Sequence, residues 1–304
     1  MSIFEKIISD LNNLDNNTEV MLYFTQKNKL GYTTYMPNVK NSLSSELLEL
    51  IRENIEKHVS AEMTKFNPTS YRDGVVETCN IDYVGNFQEV LESFANPDYV
   101  DTGLDANNLT FYCIEIKDNN GKFDYKFFRR ITKFRRLSSN GILAWFSGNT
   151  LNKMEQQMLG LDGFVDLLCV GNDIYIFNHI SLERIFRLVE KYSNKAKEAL
   201  KKLKDADGIL NFDQFEEDCL SDQRYHKTLS KMLENNDKFG DVFNDFSSIR
   251  QVIDMFDLDI EIEECSNKSR LRYDDKHQRM DILRIINDAY YRSIIGKRKG
   301  IDDN

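Results

Sequence analysis

The sequence predicts an α+β fold: a mixed or antiparallel sheet with flanking helices and a helical C-terminal part. Three observations predict it. Apolar runs of strand length, punctuated by short polar turns, dominate the chain up to Asn178. From Ser181 the apolar spacing changes to that of an amphipathic helix. At Asp205–Gly208 a basic helix gives way to an acidic, largely helical stretch, which places a body at 1–205 and a C-terminal part at 206–304.

The elements follow in order. VMLYFTQ (20–26) and GYTTYMP (31–37) flank a short turn and read as a hairpin. Ser42 precedes a helix in which Leu43, Leu47, Leu50, Ile51 and Ile55 recur at helical spacing. VVETCNI (75–81) is a strand, and NFQEVLESF (86–94) a short helix ending before Asn96-Pro97. LTFYCIEIKD (109–118) and DYKFFRRI (124–131) flank the turn NNGK. GILAWFSG (141–148) is a short strand, and VDLLCVGNDIYIFN (165–178) is a hairpin about Gly171-Asn172-Asp173. One stripe then runs through Leu182, Ile185, Phe186, Val189, Tyr192, Ala196, Ala199 and Leu203, predicting one helix capped at Ser181. Beyond Gly208, helices are predicted over 211–219, 221–235 and 241–256, a hairpin over 259–275 and a final helix over 276–295.

Composition narrows the function classes. A chain of 304 residues with 41% hydrophobic and 12% aromatic content buries a core and is not disordered. Only 14 Gly and 3 Pro exclude collagen-like and low-complexity chains. Cys79, Cys113, Cys169, Cys219 and Cys265 stand singly, as reduced thiols do, and His58, His179, His226 and His277 lack ligand spacing, so no metal or cofactor is read. The first residues, MSIFEKIISDLNN, carry charges within their apolar stretch and do not form a signal peptide. No window is long and apolar enough to span a membrane, so a cytoplasmic protein is expected.

Charge is segregated. Lys plus Arg total 40 against 50 Asp plus Glu, a net −10 that argues against coating nucleic acid with the whole surface. Yet Lys117–Arg136 holds eight bases against two acids, and Arg184–Lys204 again eight against two. Arg offers a planar fork that binds phosphate bidentately and stacks on bases. The candidate DNA contacts are therefore Lys126, Arg129, Arg130, Lys133, Arg135 and Arg136 in the first window and Arg187, Lys191 and Lys195, spaced by four, in the second. The alternative is a solvated helix face and ion pairs with the protein's own acids. Those acids gather at Asp205–Asp222, seven with no base, and at Asp254–Glu264, six with no base. Both stretches are candidate docking surfaces for a basic partner.

One catalytic reading has defined chemistry. Pro97-Asp98 followed by Glu115-Ile116-Lys117 matches the PD…ExK pattern, in which Asp and Glu hold Mg²⁺ while Lys positions the attacking water. The alternative is an outward polar pair on an alternating strand. Phosphate-loop, dinucleotide, serine-hydrolase and HExxH signatures do not occur.

The segment from FFRRITKFRR through the aromatic strand, the hairpin entered by Asp166 and continued by Asp173-Ile174-Tyr175-Ile176, Asn178 and the helix opening Leu182-Glu183-Arg184-Ile185-Phe186 resembles the KwaB family of the bacterial Kiwa antiphage system. Family members usually carry Phe where Leu182 stands. The likeness covers about 110–205 well, with agreement in overall length and in the helical C-terminal part. It implies a non-enzymatic, largely sequence-independent DNA-binding effector. Such an effector acts with a KwaA-like membrane protein, as a homodimer, to block replication and transcription of invading DNA. Recruitment to the inner face of the cell membrane by that partner is implied as well. A Mg²⁺-dependent nuclease built on Asp98, Glu115 and Lys117 is the alternative function.

Overall fold

The computed structural model describes residues 2–29, 31–98, 108–131, 144–147, 150–153, 160–235, 239–265 and 268–302. It is an α+β fold in two compact units, one of residues 1–66 and 72–187, the other of residues 67–71 and 188–304. The charge pattern predicts a division after residue 205; the units divide between Arg187 and Leu188.

The first unit is built on β1 (Thr18–Asn28), β2 (Gly31–Tyr35), β3 (Glu62–Lys65), β4 (Val75–Asn80), β5 (Phe111–Asp118), β6 (Asp124–Arg130), β9 (Leu167–Val170) and β10 (Asp173–Ile176). Between β6 and β9 in sequence, β7 (Ala144–Ser147) and β8 (Thr150–Lys153) pair as a separate hairpin. The main sheet has eight strands in the order β2-β1-β5-β6-β9-β10-β4-β3. Every pairing is antiparallel except β3 with β4. Two turns explain the central hairpins. Asp118, 2% exposed, accepts from the N–H groups of Asn120 and Lys122 at 3.1 and 3.0 Å, and Gly121 supplies a positive φ of 77°. Gly171 does the same at 57° between β9 and β10.

Both faces of the sheet are covered, which is why its central strands read as continuous apolar runs. Helices α1 (Ile3–Asn12) and α2 (Asn41–Glu56) bring Phe4, Ile7, Leu47, Ile51 and Ile55 against Leu22, Phe24, Ile114 and Phe127. The other face meets α3 (Phe87–Ala95) and α4 (His179–Ile185). There Phe94 stacks on Tyr23 at 4.5 Å, and Phe186 packs on Phe128 at 5.7 Å and on Phe87 at 5.6 Å. The α2 helix begins at Asn41, before Ser42, and its N-cap Lys40 makes no side-chain cap bond.

The single helix predicted from Ser181 is two. Asn178, not Ser181, caps α4: its side-chain oxygen accepts the Ser181 N–H at 3.0 Å. Arg187 then adopts a left-handed φ of 54°, and a second helix, α5 (Leu188–Ala206), follows in the second unit. The left-handed turn costs about 1–2 kcal/mol for a non-glycine residue. It is offset by the Arg187 guanidinium, which donates to the carbonyls of Asn28 and Gly31 and lies 5.0 Å from the Tyr32 ring centroid.

In the second unit α5 packs against α7 (Gln223–Asn235), with α6 (Phe212–Leu220) between them in sequence. Helices α8 (Phe246–Phe256) and α9 (Gln278–Ile286) complete a core about Leu203, Phe215, Leu229, Ile249 and Ile282. A small sheet joins β11 (Ile209–Leu210), β12 (Glu261–Cys265) and β13 (Lys268–Arg272) in the order β11-β13-β12. The final helix is shorter than predicted. It stops at Ile286, Asp288 turns left-handed at φ 50°, and β14 (Tyr290–Arg292) pairs with β15 (Lys299–Ile301). Tyr290 fixes that departure: it is buried, its hydroxyl donates to Asp281 at 2.7 Å, and its ring lies 4.7 Å from that of Phe256.

Candidate nucleic-acid interface

Alternation along β6 divides its basic residues between two faces. Arg129 shares the side of Phe127, against α1 and α2; Lys126 and Arg130 share the side of Phe128. Arg129 is fully engaged. Its Nε and Nη2 donate to the two oxygens of Asp162 at 2.9 and 2.8 Å, its Nη1 donates to Asp166 at 2.9 Å, and its guanidinium lies 5.3 Å from the Phe164 ring centroid. Lys126 sits 2.8 Å from Glu115 and 2.6 Å from Asp124. Burial alone would lower its pKa, but hydrogen bonds to Asp124 and Glu115 outweigh that and hold it up. Both charges are matched inside the first unit, as the ion-pair alternative expects.

Arg130 differs. Its backbone N–H donates to Asp166 at 2.7 Å, while its Nη1 is buried with no hydrogen-bond partner among the described residues. Burial first, and the Arg184 charge second, push its pKa down. Arg184 is exposed on α4 and makes no ion pair among the described residues. Two mutually repelling guanidinium groups, one with a buried unmatched donor, are stabilised by an anion that accepts from both. Lys133, Arg135 and Arg136, which follow Arg130 in the chain, lie outside the described residues.

The second basic window is rearranged by the helix break. Arg187 lies before α5 and is held by the carbonyls described above, while Lys191 and Lys195 turn toward Glu234 of α7 at 3.7 and 2.6 Å. The exposed cations of α5 without an ion pair among the described residues are Lys197 and Lys201. Arg184, Lys197 and Lys201 belong to the same basic window but are not among the candidate contacts its spacing picks out. Their i, i+4 spacing opposite Ala196, Ala199 and Leu203 was the available signal for the two lysines. Within the acidic stretch, Asp218 is not a surface group: it is 8% exposed, accepting from the Tyr273 hydroxyl at 2.8 Å with Lys276 at 3.3 Å.

Asp98, Glu115 and Lys117 do not converge. Asp98 bridges Tyr35 at the outer side of β2, and the register Tyr35–Phe24–Tyr112 sets it three strand spacings from β5, roughly 14 Å across the sheet. Glu115 is already bound by Lys126 and by the Tyr23 hydroxyl at 3.2 Å, and Lys117 is exposed. The PD…ExK set is therefore not assembled by these residues. Burial also pushes the thiol of Cys169 up and that of Cys219 up to about 12, away from nucleophilic use.

A buried cluster absent from the sequence reading joins β4 to α4. His179 Nδ1 lies 2.8 Å from Glu77 and its Nε2 3.4 Å from Glu183, all three residues under 9% exposed. Burial would lower the imidazole pKa, but hydrogen bonds to Glu183 and Glu77 override it and raise it to about 9. A raised folded-state pKa adds stability that is complete below the unfolded value near 6.5 and lost as pH climbs to about 9. Wild type is thus expected to lose on the order of 2 kcal/mol across that window, while His179→Gln melts lower at pH 6 and loses less. Melting curves from pH 6 to pH 9 check this; parallel profiles for the two proteins would contradict it.

A family model described as Kiwa protein KwaB-like matches residues 106–296, well over half of the chain. No curated protein sequence and no solved structure matches.

Proposed function

The chain belongs to the Kiwa protein KwaB-like family, and from that premise we propose that it is a DNA-binding effector of Kiwa antiphage defence. It holds invading DNA by its phosphates, with little sequence preference, and blocks replication and transcription without a catalytic step of its own. The observation that supports the DNA reading is Arg130, whose buried Nη1 lacks a partner among the described residues, beside Arg184, which makes no ion pair among them. From Arg130 the chain runs directly into Lys133, Arg135 and Arg136, which extend the same contact in this reading. Lys197 and Lys201, in the second unit, are separate candidate phosphate contacts, and Arg187, Lys191 and Lys195 are weaker ones because each already has partners in the protein.

The effector works as a homodimer with a KwaA-like membrane protein. Among the described residues no helix is long and apolar enough to cross a membrane. The exposed acids Asp213, Glu217, Asp257 and Glu261 offer a surface for the basic cytoplasmic loops such a partner carries.

Phosphate-led binding has a defined signature. In gel shifts on unrelated duplexes, affinity should fall steeply from about 50 to about 200 mM salt, with a slope near −0.9 per phosphate neutralised. Competitor sequence should matter little. Binding that ignores salt, or that one duplex wins by orders of magnitude, would sink the reading.

A further inference from the structure

The hairpin of β14 and β15 places its most apolar residues in water. Ile294 and Ile295, at its tip, are 87% and 97% exposed, and Tyr291 and Ile301 on its strands are 52% and 42% exposed. A core-forming side chain at such exposure gains nothing from folding. The tip is nevertheless built as a defined loop. Ser293 donates its N–H to the Arg298 carbonyl at 2.9 Å, its Oγ accepts the Arg298 N–H at 2.9 Å, and its carbonyl accepts the Lys297 N–H at 3.0 Å. Lys297 takes a left-handed φ of 53° to close it. At the base, Gly300 opposite Tyr291 leaves room for the ring, since a Cβ there would lie 2.5 Å from it. The Lys299 ammonium donates to the Met255 carbonyl and lies 5.8 Å from the Phe256 ring centroid, fixing the hairpin to α8.

Charge around the tip has one sign. Arg292, Lys297 and Arg298 are exposed and make no ion pair among the described residues; Arg292 Nε reaches only the Lys297 carbonyl, at 3.4 Å. Two adjacent aliphatic side chains ringed by three cations, with an exposed tyrosine behind them, match the chemistry of an anionic bilayer surface. Isoleucine enters the acyl boundary, tyrosine suits the headgroup level, and cations meet lipid phosphate.

We infer that the Ile294-Ile295 hairpin is a membrane-surface contact that inserts into the interface of anionic lipid. The inference stands apart from the DNA reading, which uses other residues. A duplex is the other polyanion to consider, since apolar wedges do enter base steps. The hairpin ladder, however, pairs only three residues on each side. It lifts the tip about 10 Å, too short an arm to follow a groove but sufficient to meet a flat surface. Paired neighbouring isoleucines also present a broad apolar tip rather than a single wedge.

The test is co-sedimentation of the full chain with phosphatidylcholine vesicles, with and without phosphatidylglycerol. Wild type should bind only the anionic vesicles, and less at high salt. Ile294→Asp with Ile295→Asp should weaken that binding by about tenfold or more, because two insertable side chains are lost. Lys297→Glu with Arg298→Glu should weaken it comparably and flatten its salt dependence. Neither pair should change thermal melting, and neither should change retention of duplex DNA. The inference is overturned if wild type ignores anionic vesicles, or if the isoleucine pair binds them as wild type does. It is equally overturned if that pair loses DNA while keeping lipid, which would make the hairpin a nucleic-acid wedge.

Discussion

Asp166→Ala should destabilise the protein by about 3 kcal/mol, because breaking a buried ion pair leaves its partner charge uncompensated. Asp166 is 2% exposed and receives both the Arg129 guanidinium and the Arg130 N–H through its carboxylate. Its own N–H donates to Phe128, and its carbonyl accepts from Phe177 and Asn178, so one residue ties the end of β6 to β9 and to the start of α4. Alanine keeps the backbone bonds, leaves the Arg130 N–H without its acceptor, and leaves Arg129 with Asp162 alone. That remaining bidentate pair keeps the loss near the lower end of the range for buried pairs. In a domain of this size it corresponds to a fall in melting temperature of roughly 6–12 °C. Asp166→Asn should lose about half as much, since its amide oxygen still accepts from Arg130. Circular-dichroism melting at neutral pH measures both. An alanine variant that melts with wild type would show that Asp166 anchors nothing.

The features legible in the sequence are those whose cause is local. The hairpins at 109–131 and 165–178 were readable because Asp118 with Gly121, and Gly171, carry their turn chemistry within a few residues. The first helix also has a local signature, a capping box in which Ser2 and Glu5 exchange hydrogen bonds. The break at Arg187 has no local signature. The apolar stripe runs through it unbroken, and the carbonyls that hold the left-handed turn come from Asn28 and Gly31, more than 150 residues earlier. The final helix was overread for a similar reason: Tyr290 is drawn out of helical register by Asp281 and Phe256. Sheet order likewise depends on packing across long separations, as in the parallel addition of β3 to β4.

The candidate site divides along the same line. A surplus of bases is a count, and the sequence displays it. Which bases remain unmatched depends on acids brought in by folding, Asp162 and Asp166 for Arg129, and Glu234 for Lys191 and Lys195. The strongest-looking run of arginines thus contains one residue that holds the fold together beside one that does not.

That distinction gives the second large effect. Arg130→Glu with Arg184→Glu should cut DNA affinity on the order of a hundredfold near physiological salt and lower the salt slope by about 2, since two phosphate contacts become repulsions. Folding should survive, because the Arg130 N–H that Asp166 accepts is backbone, and Arg184 is exposed. Arg129→Glu is the informative contrast. It severs the bridge to Asp162 and Asp166, so stability and binding should fall together, and loss of binding there would say nothing about contact. Arg130→Lys with Arg184→Lys should keep the salt slope but lose part of the affinity, because an ammonium cannot make the bidentate contact. Gel shifts at several salt concentrations, each paired with a melting curve, separate these cases. If the Arg130–Arg184 reversal still retains DNA while Lys197→Glu with Lys201→Glu releases it, the phosphate contact lies on the α5 helix and not at the end of β6.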